Sequence, residues 1–387
     1  MNTPQNLSYW EHKSYLDDID FMVVGSGIVG MTAALQLKAL EPDAHIVVID
    51  KTSIGAGASS RNAGFACIGS LSELMHDRDQ YGLDKTLEIV SARRYGLKRL
   101  QALVDADAIE YRDNGGCELF RTEKQYKLAN DELDEWNSLL RPITGLDRSY
   151  TITESTGFSN LHSQCIVNHA EGLLNTGKMY RSLEALLIQN DITPIRGLAM
   201  TRFEKTSEGV DVHFEELDNP IATKKLLLCT NAFTRRILTD AKVIACRNQV
   251  LVTSQVSNEH VSMGYHLDAG YVYFRAVEDR VLIGGGRHQH PSENDTAEYA
   301  LSIDNREYLS EILKSVVLPN QNFEIDYHWS GILCGGDVRD PVVHEVAPHV
   351  YAAYRLGGMG VAIRSTIGRD LAHFCLLYTS PSPRDRG

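Results

Sequence analysis

A glycine-rich turn between a short apolar strand and a helix constrains the fold of this 387-residue chain more than any other feature. Residues 21–24 (FMVV) predict a buried strand, and residues 25–30 (GSGIVG) follow it directly. Residues 31–40 (MTAALQLKAL) have the composition of a helix, and a second buried strand is predicted over residues 45–49 (HIVVI), before Asp50. This β-α-β order within about 30 residues is the context in which such a turn binds a dinucleotide.

The three glycines of the turn have separate tasks. Gly25 permits the tight turn, Gly27 lets a pyrophosphate approach the backbone, and Gly30 lets the helix pack on the strand. The pyrophosphate then lies at the positive N-terminal end of the helix, and Asp50 can accept hydrogen bonds from ribose hydroxyls. We therefore predict an α/β protein with a Rossmann-like domain.

The composition excludes several other classes of protein. With 38 Lys+Arg against 51 Asp+Glu, the formal charge is -13, so no basic excess is available to neutralise nucleic-acid phosphates. The apolar content of 43% is too high for a disordered chain, and no run approaches the 18 or so apolar residues of a membrane span. The first residues lack a signal peptide's apolar core, and the seven cysteines form no CxxC pair, which predicts free thiols and a cytoplasmic location.

Elements typical of the dinucleotide-binding domain occur at the start, in the middle and near the end of the sequence, so a second domain must be inserted between them. The run 224–229 (KKLLLC) suits a parallel sheet, whereas segments 242–256, 271–276 and 281–285 predict a largely antiparallel sheet. We assign residues 20–110, 165–236 and 328–374 to a discontinuous dinucleotide-binding domain, and residues 111–164 and 237–327 to an inserted, mainly antiparallel β substrate domain.

The end of the sequence departs from this pattern. A helix is predicted up to Phe374, and residues 375–387 (CLLYTSPSPRDRG) then place two prolines beside Ser and Arg. This string back-translates into a sequence compatible with a transposase sequencing adapter. We therefore expect residues 375–387 to be adapter read-through and not native sequence, with a flexible natural tail as the alternative.

The segments that follow Asp50 carry a family resemblance. Residues 54–64 (IGAGASSRNAG) resemble the GxGAS-x-RNxG segment of the D-amino-acid oxidase, glycine oxidase and sarcosine oxidase family of flavoproteins, particularly its γ-glutamylputrescine oxidase-like branch. Further segments resemble that family in its own order, from about residue 8 to residue 374: 229–234 (CTNAFT), 247–249 (RNQ), 273–275 (YFR), 283–286 (IGGG) and 357–360 (GGMG).

The resemblance implies noncovalently bound FAD. It assigns the ADP half to Gly25, Gly27, Gly30, Asp50 and Lys51, and the pyrophosphate and flavin side to Ser59, Arg61, Asn62 and Gly64. It places Met200 near the adenine, Thr230 at a cofactor-binding strand end, and Gly358, Met359 and Gly360 at the pyrimidine edge of the flavin, where negative charge develops on reduction. A covalent link through Cys67 or Cys334 is the alternative.

The family's reaction is oxidation of a C–N bond, with hydride transfer to flavin N5 and hydrolysis of the resulting imine. Such a reaction depends on positioning more than on a strong base. Tyr273 and Arg275 share one face of a predicted strand and are the candidates to hold the substrate, since a guanidinium can bind a carboxylate at two points. A surface arginine beside a half-buried tyrosine is the alternative interpretation.

One departure from the family bears on the substrate. Amino-acid-oxidising members carry a GLRP-like arginine where this chain has residues 329–336 (WSGILCGG), which favours an amine or another non-standard substrate; Arg339 is a possible substitute. The sequence therefore predicts an FAD-dependent oxidoreductase for a small amine or amino acid, with oxygen or another electron acceptor. A dehydrogenase that passes electrons to a quinone or protein and a non-catalytic flavin-binding protein stay open. His288 and His290 lack a well-spaced third ligand, so no metal is expected.

Overall fold

Two eight-stranded sheets form the framework of the molecule in a computed structural model that describes residues 6–289, 291–335, 341–358 and 360–377. The strands of the described residues are β1 (Ile19–Val24), β2 (Ile46–Asp50), β3 (Phe65–Ala66), β4 (Gly116–Glu118), β5 (Tyr150–Glu154), β6 (Gln164–Asn168), β7 (Gly172–Leu173), β8 (Thr193–Arg196), β9 (Met200–Lys205), β10 (Val210–Phe214), β11 (Ile221–Leu228), β12 (Ile244–Thr253), β13 (Gly264–Leu267), β14 (Val272–Val277), β15 (Arg280–Gly285), β16 (Ile325–Gly335), β17 (Val342–Ala347) and β18 (Val350–Tyr354). The α-helices are α1 (Tyr9–Glu11), α2 (Ile28–Leu40), α3 (Ala58–Arg61), α4 (Leu71–Tyr81), α5 (Leu83–Leu103), α6 (Glu123–Thr144), α7 (Thr176–Gln189), α8 (Pro291–Asn294), α9 (Ile303–Ile312) and α10 (Gly360–Leu377).

The first sheet brings the glycine turn to one edge. Six of its strands follow the order β17-β18-β11-β1-β2-β8, and the four neighbouring pairs from β18 to β8 are parallel. The other two are β10, which pairs with β11, and β9, which pairs with β10. Val24, at the end of β1, lies between Leu228 and Ile49 at the ends of β11 and β2. Because the carboxyl ends of parallel strands meet at one edge, the segments that follow these strands come together there.

Helices α2 and α10 cover this sheet, and α5 packs on α10; glycines lie at both helix contacts. A Cβ on Gly368 of α10 would lie 2.1 Å from Thr32 Oγ1 of α2, and a Cβ on Gly96 of α5 would lie 2.0 Å from the Ala362 carbonyl oxygen of α10. Side chains at these two positions would therefore force the helices apart. The close packing fixes the start of α10 beside the start of α2.

The second sheet is mainly antiparallel, with the order β16-β12-β15-β14-β13-β4-β6-β5, and β13 with β4 is its parallel pair. Apolar side chains of this sheet pack against α9. The α/β fold class is therefore confirmed, with a mainly antiparallel sheet beside the Rossmann-like one.

Two of the predicted domain boundaries fall within strands of the second sheet. The boundary at 164/165 lies in β6, which pairs with β4 and β5, and the boundary at 327/328 lies in β16, which pairs with β12 along its length. Residues 329–334 (WSGILC) pair with a strand about 80 residues earlier in the chain, and no local pattern reports this distant partner.

Helix α6 (Glu123–Thr144) has a defined capping signal at each end. Its start is a capping box in which Thr122 accepts from the Gln125 backbone and Gln125 accepts from the Thr122 backbone. Gly145 ends the helix in the left-handed conformation, with φ of 76°.

Three further expectations concern the whole chain. The seven cysteines are free and buried. Among the described residues, no helix combines the length and the apolar character that crossing a membrane requires. Helix α10 continues past Phe374 to Leu377, with Cys375 buried and its carbonyl accepting from Lys225 Nζ at 2.7 Å, whereas residues 378–387 of the predicted read-through lie outside the described residues.

Candidate active site

The glycine turn has the geometry that its sequence predicts. Gly25 has φ of +108°, and a Cβ there would lie 2.5 Å from the Cys229 carbonyl oxygen. A Cβ on Gly30 would lie 1.9 Å from the Gly25 carbonyl oxygen. Both positions therefore exclude any side chain. Gly27 is the N-cap residue of α2, so the backbone N–H groups of the first helical turn, which have no partner within the helix, begin beside it.

Ser59 and Arg364 meet at this helix start. Ser59 Oγ accepts from the Ile28 backbone N–H at 3.0 Å and from Arg364 Nη1 at 3.3 Å. The Arg364 side chain turns back along the first turn of α10, so that a Cβ on Gly360 would lie 2.2 Å from its Cζ. The beginnings of α2 and α10 thus share one buried guanidinium.

Arg364 is a buried cation without a counter-charge among the described residues. It is 5% exposed, its Nε has no hydrogen-bond partner, and none of the described carboxylates forms an ion pair with it. Burial lowers the pKa of the guanidinium to about 10. Buried charges in proteins are normally paired, so this group together with the N–H groups of α2 makes a site for an anion.

Asp50 is anchored by two hydroxyl residues. Its Oδ2 accepts from the backbone N–H and the hydroxyl of Ser26, both at 2.9 Å, and its Oδ1 accepts from the backbone and hydroxyl of Thr52 at 2.9 and 2.7 Å. Burial alone would raise the pKa of Asp50, but these four hydrogen bonds outweigh it and hold the pKa below its usual value. The carboxylate is therefore ionised and fixed at the end of β2.

Ser26 also connects Asp50 to residues that the sequence analysis did not select. Its hydroxyl lies 3.0 Å from Tyr180 Oη and accepts from Arg196 Nη1, and Arg196 also pairs with Glu184. No motif marks these partners, because they come from α7 and β8, more than 150 residues along the chain.

The segment after α3 is held by its own amide side chain. Asn62 Oδ1 accepts from the Gly64 backbone at 2.9 Å and from Thr176 Oγ1 at 2.9 Å. Gly64 has φ of +77°, and a Cβ on it would lie 2.2 Å from the Leu174 carbonyl oxygen. Arg61 Nη1 donates to the Ser330 carbonyl at 2.8 Å, which joins this segment to β16.

The other predicted cofactor residues lie at the same sheet edge or near it. Lys51 Nζ lies 4.0 Å from the centre of the Phe233 ring, and burial together with the charge of Arg236 lowers its pKa. Thr230 follows β11 and its hydroxyl lies 3.0 Å from that of Thr234. Met200 begins β9 and is half-buried. Gly358 and Gly360 lie after β18, whereas Met359, Arg339 and His290 lie outside the described residues.

The two candidate substrate residues reach the segment that contains Gly64. Tyr273 packs its ring against Phe65, with 5.4 Å between ring centres, and its Oη accepts from Asn248 Nδ2 at 3.0 Å. Burial raises the pKa of Tyr273 to about 12, so its phenol is neutral at ordinary pH. Tyr273 can therefore donate its proton to a bound molecule.

Arg275 has a structural task as well. Its Nη1 donates to the carbonyls of Leu174, Gly64 and Ala63 at 2.8, 3.2 and 3.3 Å, and its Nε donates to Ala276. Burial lowers the pKa of this guanidinium to about 10. A guanidinium carries five N–H donors, so Nη2 is still able to bind an acceptor.

A comparison of the sequence with protein families decides the identity of this arrangement. The profile of the family described as FAD dependent oxidoreductase matches residues 20–374. The chain belongs to this family of FAD-dependent oxidoreductases. Its relatives include the gamma-glutamylputrescine oxidoreductase of Escherichia coli strain K12, which is 23% identical over 378 residues, covering 91% of this chain and 82% of the relative.

Solved structures share the fold of this oxidoreductase at low identity. L-proline dehydrogenase from P. horikoshii has a TM-score of 0.73 at 14% identity, covering 92% of this chain and 93% of that protein. Iminodiacetate oxidase from Chelativorans sp. BNC1 has a TM-score of 0.73 at 16% identity, covering 95% and 98%. The predicted family, enzyme class and cofactor are confirmed.

The described residues of this oxidoreductase fit FAD. The anion site at the start of α2 matches a pyrophosphate, because the buried Arg364 guanidinium gains a counter-charge there. Asp50 lies at the end of the next strand, where it can bind a ribose. Sequence reasoning missed Arg364, although a lone charged residue within residues 361–368 (VAIRSTIG) was a visible signal.

Proposed function

We propose that this FAD-dependent oxidoreductase oxidises the C–N bond of a small amine or amino acid. The observation that carries the proposal is the convergence of Tyr273 and Arg275 on residues 63–65, the segment that the family resemblance assigns to the flavin side. A neutral phenol and a buried guanidinium on the same strand both offer hydrogen-bond donors, which suits a substrate that carries acceptors such as a carboxylate. When bound, FAD accepts the hydride that this oxidation releases.

In this proposal, the cofactor residues are assigned to separate parts of FAD. Gly25, Gly27, Gly30, Ser59 and Arg364 would hold the pyrophosphate, and Asp50 a ribose. Lys51, Arg61, Asn62, Gly64, Met200 and Thr230 would line the rest of the cofactor, with Gly358, Met359 and Gly360 at the flavin ring. Because this reaction depends on positioning more than on a strong base, the proposal needs no carboxylate pair for acid-base chemistry.

Tyr273 and Arg275 have different tasks in the proposal. Tyr273 donates to an acceptor on the substrate, and Asn248 fixes the direction of that donation through its bond to Tyr273 Oη. Arg275 holds the carbonyls of Ala63, Gly64 and Leu174 through Nη1, and Nη2 binds a substrate carboxylate where one is present. The same residue thereby positions the cofactor segment and the substrate.

A substrate panel tests the proposal. Purified holoenzyme is mixed anaerobically with γ-glutamylputrescine, iminodiacetate, glycine, L-proline and simple amines, and loss of the oxidised flavin absorbance is recorded. We expect at least one amine to bleach the flavin and to yield ammonia or a free amine with a carbonyl product. A flavin that no amine bleaches but a hydroxy acid does would contradict the proposal.

The electron acceptor and the cellular location complete the proposal. Readmitting air to the bleached enzyme separates an oxidase, which releases peroxide, from a dehydrogenase, which needs an added quinone or dye. We place the protein in the cytoplasm because its seven cysteines are free. Fractionation of the source cells tests this location.

A further inference from the structure

A second group of chemically active side chains contains none of the residues assigned above to noncovalent FAD binding. Cys67 follows β3, Glu171 precedes β7, and His266 lies on β13; each is at most 8% exposed. Cys67 Sγ lies 3.5 Å from His266 Nε2, and the same nitrogen lies 3.6 Å from Glu171 Oε2. The three ligand atoms all lie within 4.8 Å of one another, and we call them the Cys-Glu-His cluster.

The distances in this cluster suit a tetrahedral metal ion. Zinc binds thiolate sulfur at about 2.3 Å and imidazole nitrogen or carboxylate oxygen at about 2.0–2.2 Å. Tetrahedral angles then separate sulfur from nitrogen by about 3.6 Å, and nitrogen from oxygen by about 3.4 Å. The observed separations of 3.5 and 3.6 Å lie close to both values.

A nucleophilic cysteine does not explain the cluster. A Cys-His-carboxylate relay uses the two nitrogens of the imidazole for different partners, whereas here Nε2 lies nearest to both Cys67 and Glu171. Burial and the charge of Glu171 also raise the pKa of the Cys67 thiol well above its usual value. Without a metal ion, the thiol is therefore protonated and unreactive.

Glu171 is already oriented as a ligand. Its Oε1 accepts from the backbone N–H groups of Ile68 and Gly69, both at 2.8 Å. Its Oε2, which faces His266, is buried and has no hydrogen-bond partner among the described residues. Metal-binding carboxylates are typically held in this way through the oxygen that does not bind the ion.

The surrounding charge also favours a cation. Glu73 and the buried Glu118 lie near the cluster, where their charges act on His266, and Arg93 pairs with Glu73. A divalent cation between Cys67, Glu171 and His266 would be attracted by the carboxylates of this buried region.

We propose that Cys67, Glu171 and His266 bind one Zn²⁺ ion, with water as the fourth ligand. Binding forms the zinc–sulfur bond and releases the Cys67 thiol proton to solvent, with no change of oxidation state. The ion joins β3, the turn before β7, and β13. It thereby fixes Phe65, whose ring contacts His266 at 5.3 Å and Tyr273 at 5.4 Å between ring centres.

Zinc titration of the full chain tests the proposal. The holoenzyme is stripped with a chelator, titrated with Zn²⁺ against a chromophoric competitor, and analysed for metal by mass spectrometry. We expect one zinc ion per chain and a higher midpoint temperature of unfolding with zinc bound. Wild-type protein that keeps its fold and FAD but binds no zinc in competition with the chelator would overturn the proposal.

Matched variants locate the ion. Cys67→Ser and His266→Gln should each weaken zinc binding by at least tenfold, whereas Cys246→Ser, which removes another buried thiol, should leave it unchanged. Flavin absorbance and circular dichroism check that each variant folds. Zinc bound with wild-type affinity by folded Cys67→Ser and His266→Gln would place the ion elsewhere and refute the assignment. If a variant does not fold, the wild-type titration decides.

Discussion

Replacing Arg364 with methionine should change the FAD-free protein and the FAD complex in opposite directions. In the FAD-free protein, burial lowers the pKa of this guanidinium to about 10, so its charge opposes folding by about 3 kcal/mol. Methionine has a similar length and no charge, but loses the hydrogen bond to Ser59. The free energy of unfolding of the FAD-free protein should therefore rise by about 1–3 kcal/mol.

The FAD complex should become weaker. A hydrogen bond between a guanidinium and a phosphate is worth about 1.5–3 kcal/mol, which corresponds to a roughly 10- to 150-fold higher Kd for FAD in Arg364→Met. Arg364→Lys keeps the charge and should bind FAD with intermediate affinity. General damage to the fold would destabilise the FAD-free protein and weaken FAD binding together. It therefore cannot produce the expected combination of a more stable FAD-free protein and a higher Kd for FAD.

The assay combines urea unfolding of the FAD-free protein with titration of FAD, followed through quenching of flavin fluorescence. Arg369→Met is the matched control, because Arg369 lies on the same helix but pairs with Asp370 and Tyr95. The control should leave the Kd for FAD unchanged. Arg364→Met protein that binds FAD as tightly as wild type, or more tightly, would refute the reasoning and show that the guanidinium competes with the cofactor for its site.

Three other predictions concern the same site. Gly27→Val should lower the FAD content by about tenfold or more, because even a Cβ there lies 3.0 Å from Ser59 Oγ; absorbance of purified protein measures it, and Gly177→Ala should retain FAD. Tyr273→Phe should raise KM by about 2- to 12-fold with FAD retained, equally at every pH below its pKa of about 12; a loss that varies with pH in steady-state assays would contradict this. Asp50→Asn should destabilise the FAD-free protein by about 1–3 kcal/mol at neutral pH. Because hydrogen bonds lower the folded pKa of Asp50, urea titrations should show this difference complete above about pH 3.9 and disappearing as the pH falls through the folded pKa.

The parts of the fold that the sequence predicts are those with local causes. The strand, turn and helix around Gly25, Gly27 and Gly30 follow from neighbouring residues, and so does the position of Asp50 at the end of β2. The strand at 281–285 has an apolar pattern of its own. By contrast, β16 is a strand because it pairs with β12 over residues 325–335, and no local pattern reports a partner about 80 residues away.

The candidate site also combines residues that local motifs predict with contacts that depend on distant segments. Ser59 was selected because it lies in a family motif, but its bond to Arg364 joins residues 305 positions apart. Arg275 was selected for its place on a strand beside Tyr273, and the sequence did not indicate that its Nη1 holds the carbonyls of Ala63 and Gly64. Sequence motifs therefore identify single residues. The contacts that those residues make depend on the packing of segments that are distant in the chain.

The contact of α10 with α2 has a consequence for synthesis. Translation delivers α2 early, but its partner, and Arg364 with it, emerges only after both sheets have been made. The face of α2 that receives Gly368 must stay uncovered on the ribosome through most of elongation. Domains generally fold as they emerge from the ribosome. Because α2 has to wait for α10, this nascent chain is exposed to aggregation and to chaperones through most of its synthesis. Cofactor loading should accordingly follow translation of the last helix, and ribosome-bound chains halted before Gly360 should not retain FAD.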